Sequence, residues 1–328
     1  MKLGIMGNGS IVKFALETFA KMPEIDVKAI LCRPKSVERA QKMAEEFEIE
    51  KVYTDIDAFL SDPSFDTVYV AVVNTVHYEY SKKALEAGKN VICEKPFATT
   101  GEQTRELIDL AKEKGLMLFE AVPTRYQDNY EWIRSLLDQI GPIKMVMANY
   151  SQYSRRFDKY KEGIVLPAFD PSQYGGALFD INIYNLHFVL GLFKNPKDAR
   201  YYANNGFNGV DTSGTAILDY GDFKAVLTGA KDSASKPYVI LQGEKGTIQV
   251  DSMPSEVNNV TLTMHNQEPQ RIGHDHFNRF EVQFGKIDQI LKTNDQKQCF
   301  DHMEDTYNVM ALANALRNQV LPAELKQA

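Results

Sequence analysis

Glu94-Lys95-Pro96 closes the apolar run Asn90-Val91-Ile92-Cys93, and a lysine leaving a strand there is placed to do chemistry. Open α/β sheets bind ligands in the crevice beyond the carboxyl ends of their strands, so such a side chain faces cofactor and substrate. An ammonium in that crevice can hold a substrate oxygen or favour the ionised form of a neighbouring acid. Taken without its surroundings, the same residue is a solvated lysine at a strand end that Pro96 terminates.

A second chemical position is Gly7-Asn8-Gly9-Ser10-Ile11-Val12, which follows a short strand and opens a helix. Gly7 permits a tight turn, and Gly9 lets backbone amides approach a pyrophosphate at the helix N-terminus. Val12 stands where a third glycine is usual, which leaves an ordinary strand-to-helix turn as the alternative. The next strand ends in Cys32-Arg33-Pro34-Lys35-Ser36 rather than in a carboxylate that would bond an adenosine ribose. Arg33, Lys35 and Ser36 suit a phosphate there, so NADP is favoured over NAD as cofactor. Val73-Asn74-Thr75-Val76-His77 ends a further strand. Asn74 could bond the ribose or nicotinamide side of a cofactor; His77 could meet the same crevice or simply begin a helix.

The elements that must position these groups follow from hydrophobic spacing. Up to residue 121 short apolar runs alternate with amphipathic segments, the pattern of a doubly wound parallel sheet. Strands are expected at Leu3–Met6, through Val27 to Leu31, at Lys51–Tyr53, Thr67–Val73, Val91–Cys93 and Met117–Phe119. Helices are expected at Ile11–Met22, Ser36–Phe47, Ile56–Leu60, Tyr78–Ala87 and Gly101–Lys114, with Gly88 and Gly115 as left-handed stops. Beyond it, after a helix at Tyr130–Leu137, strand-like runs dominate: Ile143–Tyr153, Thr212–Tyr220, Phe223–Ala230, Tyr238–Gln242, Thr247–Val250 and Val260–Met264. One helix near Gly176–Leu190 interrupts them and two more close the chain, at Phe280–Leu291 and His302–Asn318. The expected fold is an N-terminal Rossmann domain, residues 1–121, followed by an α+β domain on a mostly antiparallel open sheet, residues 122–328.

Bulk composition narrows the partners. With 37 basic against 44 acidic residues the net charge is −7, a poor match for non-specific nucleic-acid binding, which neutralises many phosphates. Cys32, Cys93 and Cys299 lack the close spacing of a zinc or redox pair and are read as reduced thiols, with no metal site. The chain opens on a strand rather than a leader, and no apolar stretch approaches the roughly 20 residues of a membrane span. A soluble, cytoplasmic protein is expected.

Gly7-x-Gly9, Asn74-x-x-His77 and above all AGKNVICEKPFATT, residues 87–100, resemble the Gfo/Idh/MocA oxidoreductases, named for glucose-fructose oxidoreductase and inositol dehydrogenase. The likeness covers nearly the whole chain. Its later half includes Gly175-Gly176-Ala177-Leu178-Phe179-Asp180-Ile181-Asn182-Ile183-Tyr184, which looks like the family's second motif. That spacing puts Asp180 and Tyr184 on one helix face, a turn apart. A tyrosine rather than a histidine there is similar to the branch containing dihydrodiol dehydrogenase and NADP-dependent xylose dehydrogenase. Departures are Val12, Val73, Asn182 and His187, where the family commonly has a small residue, proline, glycine and aspartate.

The resemblance implies hydride transfer between a nicotinamide and a carbinol or carbonyl carbon of a small sugar, polyol or diol. It gives Tyr184 the proton transfer, Lys95 the role of stabilising its phenolate and holding the reacting oxygen, and Asp180 that of orienting Tyr184 or touching substrate. Gly7, Asn8, Gly9, Ser10, Ile11, Arg33, Lys35, Asn74, His77, Glu94 and Lys95 form the expected cofactor site. Arg125 and Tyr126 are read as hinge or surface residues, and His187 as packed. Two other functions stay open: a sugar lyase, epimerase or glycosidase that retains its nicotinamide, and a non-catalytic cofactor sensor. Alternation in Thr215–Tyr220 and Phe223–Leu227 leaves apolar residues on both sheet faces, so a homodimer through that sheet is expected, as the resemblance also implies.

Overall fold

Leu3, Ile5 and Met6 are completely buried, as the first strand of a sheet covered on both faces must be. A computed structural model describes residues 1–276 and 278–322; the end of the expected second domain, 323–328, lies outside the described residues. The chain divides into two compact units, Met1–Ala121 with Phe280–Tyr307, and Val122–Arg279 with Asn308–Ala328.

The first unit alternates strand and helix: β1 (Lys2–Met6), α1 (Ser10–Phe19), β2 (Asp26–Leu31), α2 (Val37–Glu46), β3 (Lys51–Tyr53), α3 (Ile56–Leu60), β4 (Thr67–Val70), α4 (His77–Glu86), β5 (Asn90–Glu94), α5 (Gly101–Lys114) and β6 (Leu118–Ala121). The strands form one parallel sheet in the order β3-β2-β1-β4-β5-β6, so the winding reverses between β1 and β4. Local chemistry explains the helix ends. Thr100 accepts from the Gln103 amide at the start of α5, and Gly115, at φ 66°, ends it in the left-handed region. β4 stops at Val70, earlier than its apolar run suggests, because Ala71–Val73 leave the ladder and lead into a 3₁₀ turn at Asn74–Val76.

The second unit contains α6 (Asp128–Leu136), β7 (Ile143–Ser151), α7 (Arg155–Lys161), α8 (Ile183–Phe193), β8 (Asp198–Asn205), β9 (Asp211–Asp219), β10 (Lys224–Ala230), β11 (Tyr238–Gly243), β12 (Gly246–Val250), β13 (Val260–Met264) and β14 (Gln270–Ile272). Its eight strands run β14-β13-β12-β11-β7-β10-β9-β8, antiparallel except where β7 meets β10. The sheet carries two strands more than the apolar runs indicate. β8 shows only Tyr201 fully buried and β14 none, as edge strands with polar faces do. The chain closes with α9 (Arg279–Thr293) and α10 (Gln296–Val320). Phe284 of α9 packs edge-on against Phe19 and Tyr69 of the first unit's core.

Contrary to expectation, one stretch among the described residues is long and apolar enough to cross a membrane: Pro171–Phe193, 23 residues with mean hydropathy 1.3. Of its apolar window 83% is buried inside the fold, so the apolarity is that of a core helix. Cys32, Cys93 and Cys299 are buried and unbridged.

Candidate active site

Because β1, β2, β4 and β5 are parallel, the loops that leave them emerge on one edge of the first sheet. Gly7 follows β1 at φ 120°, and a Cβ there would lie 2.2 Å from the Ala71 carbonyl oxygen, so only glycine lets β1 and β4 close at the point of reversal. Gly9 differs. A Cβ on it would meet nothing within 4 Å, so its lack of a side chain keeps open space above the start of α1. Gly9 is the N-cap of α1, no side chain caps that end, and its first turn carries no acid. Amides of Ser10 and Ile11 at an uncapped N-terminus with space above them suit an anion. Val12 is fully buried beneath the turn.

Asn8 ties this turn to the next loop. Its amide donates to the Ser36 carbonyl at 2.8 Å, and its Oδ1 accepts from Arg39 at 2.9 Å. Arg33 and Lys35 are exposed on the same loop, with no carboxylate between β2 and α2. The donor set is therefore cationic around a glycine cradle, and the residues present fit a dinucleotide carrying an extra phosphate. Arg39 was outside the sequence reading. Its spacing, three residues after Ser36 in the first turn of a foreseen helix, was the signal that could have found it.

The loop after β5 is held from beneath. Lys95 is half-buried, whereas Glu94 is 8% exposed and accepts a 2.5 Å hydrogen bond from Tyr69 Oη. His77 opens α4, and the residue is 1% exposed. Nδ1 lies 2.8 Å from the Pro96 carbonyl and Nε2 3.3 Å from that of Val72. The imidazole, carried by α4, thus ties the start of that helix to the loop after β5 through Pro96, and burial lowers its pKa. Glu120, buried at the end of β6, accepts from the Phe97 amide at 3.2 Å and from Thr306 at 2.8 Å. Asn74 starts the 3₁₀ turn after β4 and is half-buried.

In the second unit, Gly175 and Gly176 are required by close approach. A Cβ on Gly175 would lie 2.5 Å from the Pro167 carbonyl oxygen, and one on Gly176, at φ 111°, 2.0 Å from Asp211 Oδ1. The following Leu178–Asn182 is a π-helical turn that runs into α8. Such wide turns occur mostly as single-turn insertions in α-helices, frequently at functional sites, and none of its residues betrays it in sequence. Asp180 lies in this turn and Tyr184 follows in α8, 7% exposed, its ring 5.7 Å from that of Tyr150. Asn182 donates to the Leu227 carbonyl at 3.0 Å, and Asn185 to the Thr228 carbonyl at 3.0 Å, which bolts the π turn to β10. Gly229 makes room, since a Cβ there would lie 2.8 Å from that of Asn182.

Asp180 pairs with Lys231 at 2.8 Å, a residue the sequence gave no reason to single out. Behind it, Asp211 accepts from the Leu178 amide and from Tyr201 Oη, both at 2.7 Å. Burial of its carboxyl pushes its pKa up to about 6 against those bonds and the Lys231 charge. Arg125 is 5% exposed and Tyr126 5%, so neither is a surface residue; Arg125 packs against Gly191. His187 is fully buried. Among the described residues no group of three or more His, Cys, Asp or Glu side chains is placed to hold a metal ion.

Two outcomes follow. Asn8→Ala removes the tie between the glycine turn and α2 and should lower stability by about 1–2 kcal/mol in urea unfolding; an unchanged midpoint would contradict that tie. Asp211 binds its proton in the folded state below about 6 but, unfolded, only below 3.8, so its contribution is fully present at low pH and is lost as pH rises through 6. The stability difference between wild type and Asp211→Asn should therefore fall by up to about 3 kcal/mol from pH 4 to pH 7, and a flat difference would contradict the raised pKa.

Comparison with known proteins agrees with this architecture. Residues 1–122 match the Gfo/Idh/MocA oxidoreductase family's NAD-binding Rossmann domain, and residues 130–249 match a Gfo/Idh/MocA C-terminal domain. The chain is 36% identical over 253 residues to scyllo-inositol 2-dehydrogenase (NADP(+)) IolU of Bacillus subtilis, covering 77% of this chain and 76% of that protein. It is 32% identical to trans-1,2-dihydrobenzene-1,2-diol dehydrogenase of Xenopus tropicalis, covering 76% and 75%. The fold is shared with KijD10, a 3-ketoreductase from Actinomadura kijaniata solved with NADP and TDP-benzene, at TM-score 0.83 and 23% identity over 97% of each chain. The chain belongs to the Gfo/Idh/MocA family and is an NAD(P)-dependent oxidoreductase.

Proposed function

We propose that this protein moves a hydride between NADP(H) and a carbinol or carbonyl carbon of a small polyol, sugar or diol, with Lys95, Tyr184 and Asp180 as the reacting side chains. The observation that carries the reading is that Lys95 leaves β5 on the same sheet edge as the open glycine turn after β1. Amides of Gly9, Ser10 and Ile11 would hold the pyrophosphate, and Arg33, Lys35 and Arg39 the additional phosphate. Asn74 would bond the ribose or nicotinamide side. The dinucleotide supplies or accepts the hydride when bound.

In oxidation Tyr184 takes the hydroxyl proton as the carbon–oxygen double bond forms, and in reduction it returns that proton to the new alkoxide. The Lys95 ammonium favours the phenolate and stabilises negative charge on the reacting oxygen. Asp180 fixes the substrate or Tyr184 by a charged hydrogen bond. Relatives named as inositol and dihydrodiol dehydrogenases support vicinal hydroxyls as the substrate class. Segment 155–170, with the basic side chains of α7, would select among them.

A homodimer through the second unit's sheet and a cytoplasmic location complete the reading. Ile217, Val226, Met147 and Ile240 stand in register across β9, β10, β7 and β11 on the face opposite the buried Leu218, Ala225, Val146 and Leu241. An apolar row with a polar rim suits a second copy of the same surface.

Tyr184→Phe and Lys95→Met should each lower turnover of scyllo-inositol or a vicinal diol by about 10²–10⁴-fold while NADPH binding persists. Full activity in either would refute the roles. Arg33→Ala and Arg39→Ala should each weaken NADPH about tenfold or more and leave NADH unchanged by equilibrium titration. Light scattering should give twice the chain mass, and Met147→Glu with Ile240→Glu the monomer; a monomeric wild type would remove the dimer.

A further inference from the structure

Lys231 stands just past β10 with its side chain 1% exposed, and none of the roles above uses it. An ammonium that deep is costly unless its charge and its three N–H groups are met. Asp180 Oδ2 lies at 2.8 Å, the Ala168 carbonyl accepts at 2.5 Å, and the Phe169 ring centroid is 4.4 Å away. Asp180 for its part keeps 38% of its side-chain exposure. The pair is thus asymmetric: a buried cation on a fixed carbonyl and ring holds a carboxylate that still reaches solvent.

We propose that Lys231 is a positioning residue for the reaction, fixing the Asp180 carboxylate in its ionised form and tying its placement to the Pro167–Phe169 turn at the end of segment 155–170. This rests on the reading of Asp180 as part of the reacting site. Two consequences make the arrangement useful. A carboxylate held from behind by a buried charge loses little freedom when it bonds a hydroxyl, which is the benefit of preorganisation. And because the same ammonium bonds Ala168, a substrate that moves the 167–169 turn also moves Asp180, which links selection to alignment.

Other charged and titratable groups surround the pair. Asp211 of β9 interacts electrostatically with Lys231, Tyr201 of β8 donates to Asp211, and Arg317 of α10 interacts with Asp211. Tyr184 lies one turn further along the helix, with Tyr150 of β7 against it. Lys231 meets Asp180 Oδ2 directly at 2.8 Å from a buried position, so loss of its charge should be felt in that carboxyl's titration.

The test has a substrate-free arm. In protein labelled with carboxyl-¹³C aspartate, with the Asp180 resonance assigned by its loss in Asp180→Asn, the Asp180 titration midpoint should rise by about one pH unit or more in Lys231→Met. Lys231→Gln, which keeps a donor for Ala168 and removes the charge, should show the same rise and guards against poor folding of the methionine variant. An unmoved midpoint in the folded variants overturns the proposal. The second arm is a double-mutant cycle on scyllo-inositol oxidation with NADP⁺. Lys231→Met should lower kcat about tenfold or more in the wild-type background, move the acid limb of the kcat/KM profile to higher pH, and cost less than about threefold on top of Asp180→Asn. Additive losses would overturn the proposal. If instead Asp180→Asn leaves turnover intact while the resonance shifts as expected, the failure lies with the role of Asp180 in the proposed function and not with its pairing.

Discussion

Parallel pairing is the constraint on which the first unit depends. It sends every strand-to-helix loop to one edge, and it makes β1 and β4 adjacent at the reversal of winding, where Gly7 must pass within contact of the Ala71 carbonyl. Loops on such an edge are irregular backbone, and irregular backbone needs partners for its polar groups. Buried side chains supply them: Asn8 joins the first and second loops, His77 the fourth and fifth, and Glu120 receives the amide of Phe97 just beyond Lys95. The loops expected to meet a dinucleotide are therefore held in place by hydrogen bonds from buried side chains.

The second unit solves a different problem, placing charge in an apolar surround. Lys231 and Asp211 are each costly to bury, and each is met by backbone as well as by a side chain: Ala168 and Asp180 for the lysine, Leu178 and Tyr201 for the aspartate. The glycine pair exists for the same reason, because side chains at Gly175 or Gly176 would strike the 167–170 segment or Asp211. A wide π turn then carries Asp180, bolted to β10 by Asn182 and Asn185. Asn182 is accommodated by Gly229, where a Cβ would lie 2.8 Å from its own.

How much of this could be read from the chain depends on whether the signal is local. Helix α5 was legible in full because Thr100 and Gly115 mark its ends, and Lys51–Tyr53, Ile56–Leu60 and Val260–Met264 because apolar spacing and turns agree. β8 and β14 were missed because an edge strand with one buried side chain or none has no apolar alternation to detect. The π turn left no trace, since its hydrogen-bond register is a tertiary outcome. Lys231 was invisible for the same reason: its partners Asp180 and Ala168 are distant in sequence, and a lone lysine after a strand reads as solvated. Arg39 was within reach, one helical turn from a loop already identified as cationic.

The account stands or falls on whether an ammonium from the first unit and a phenol from the second serve one reacting oxygen. A crystal structure of the protein with NADPH and a non-reacting polyol bound measures this most directly. It should place one substrate hydroxyl within about 3 Å of both Lys95 Nζ and Tyr184 Oη. A hydroxyl held by only one of them, with the other turned to bulk water, would contradict it.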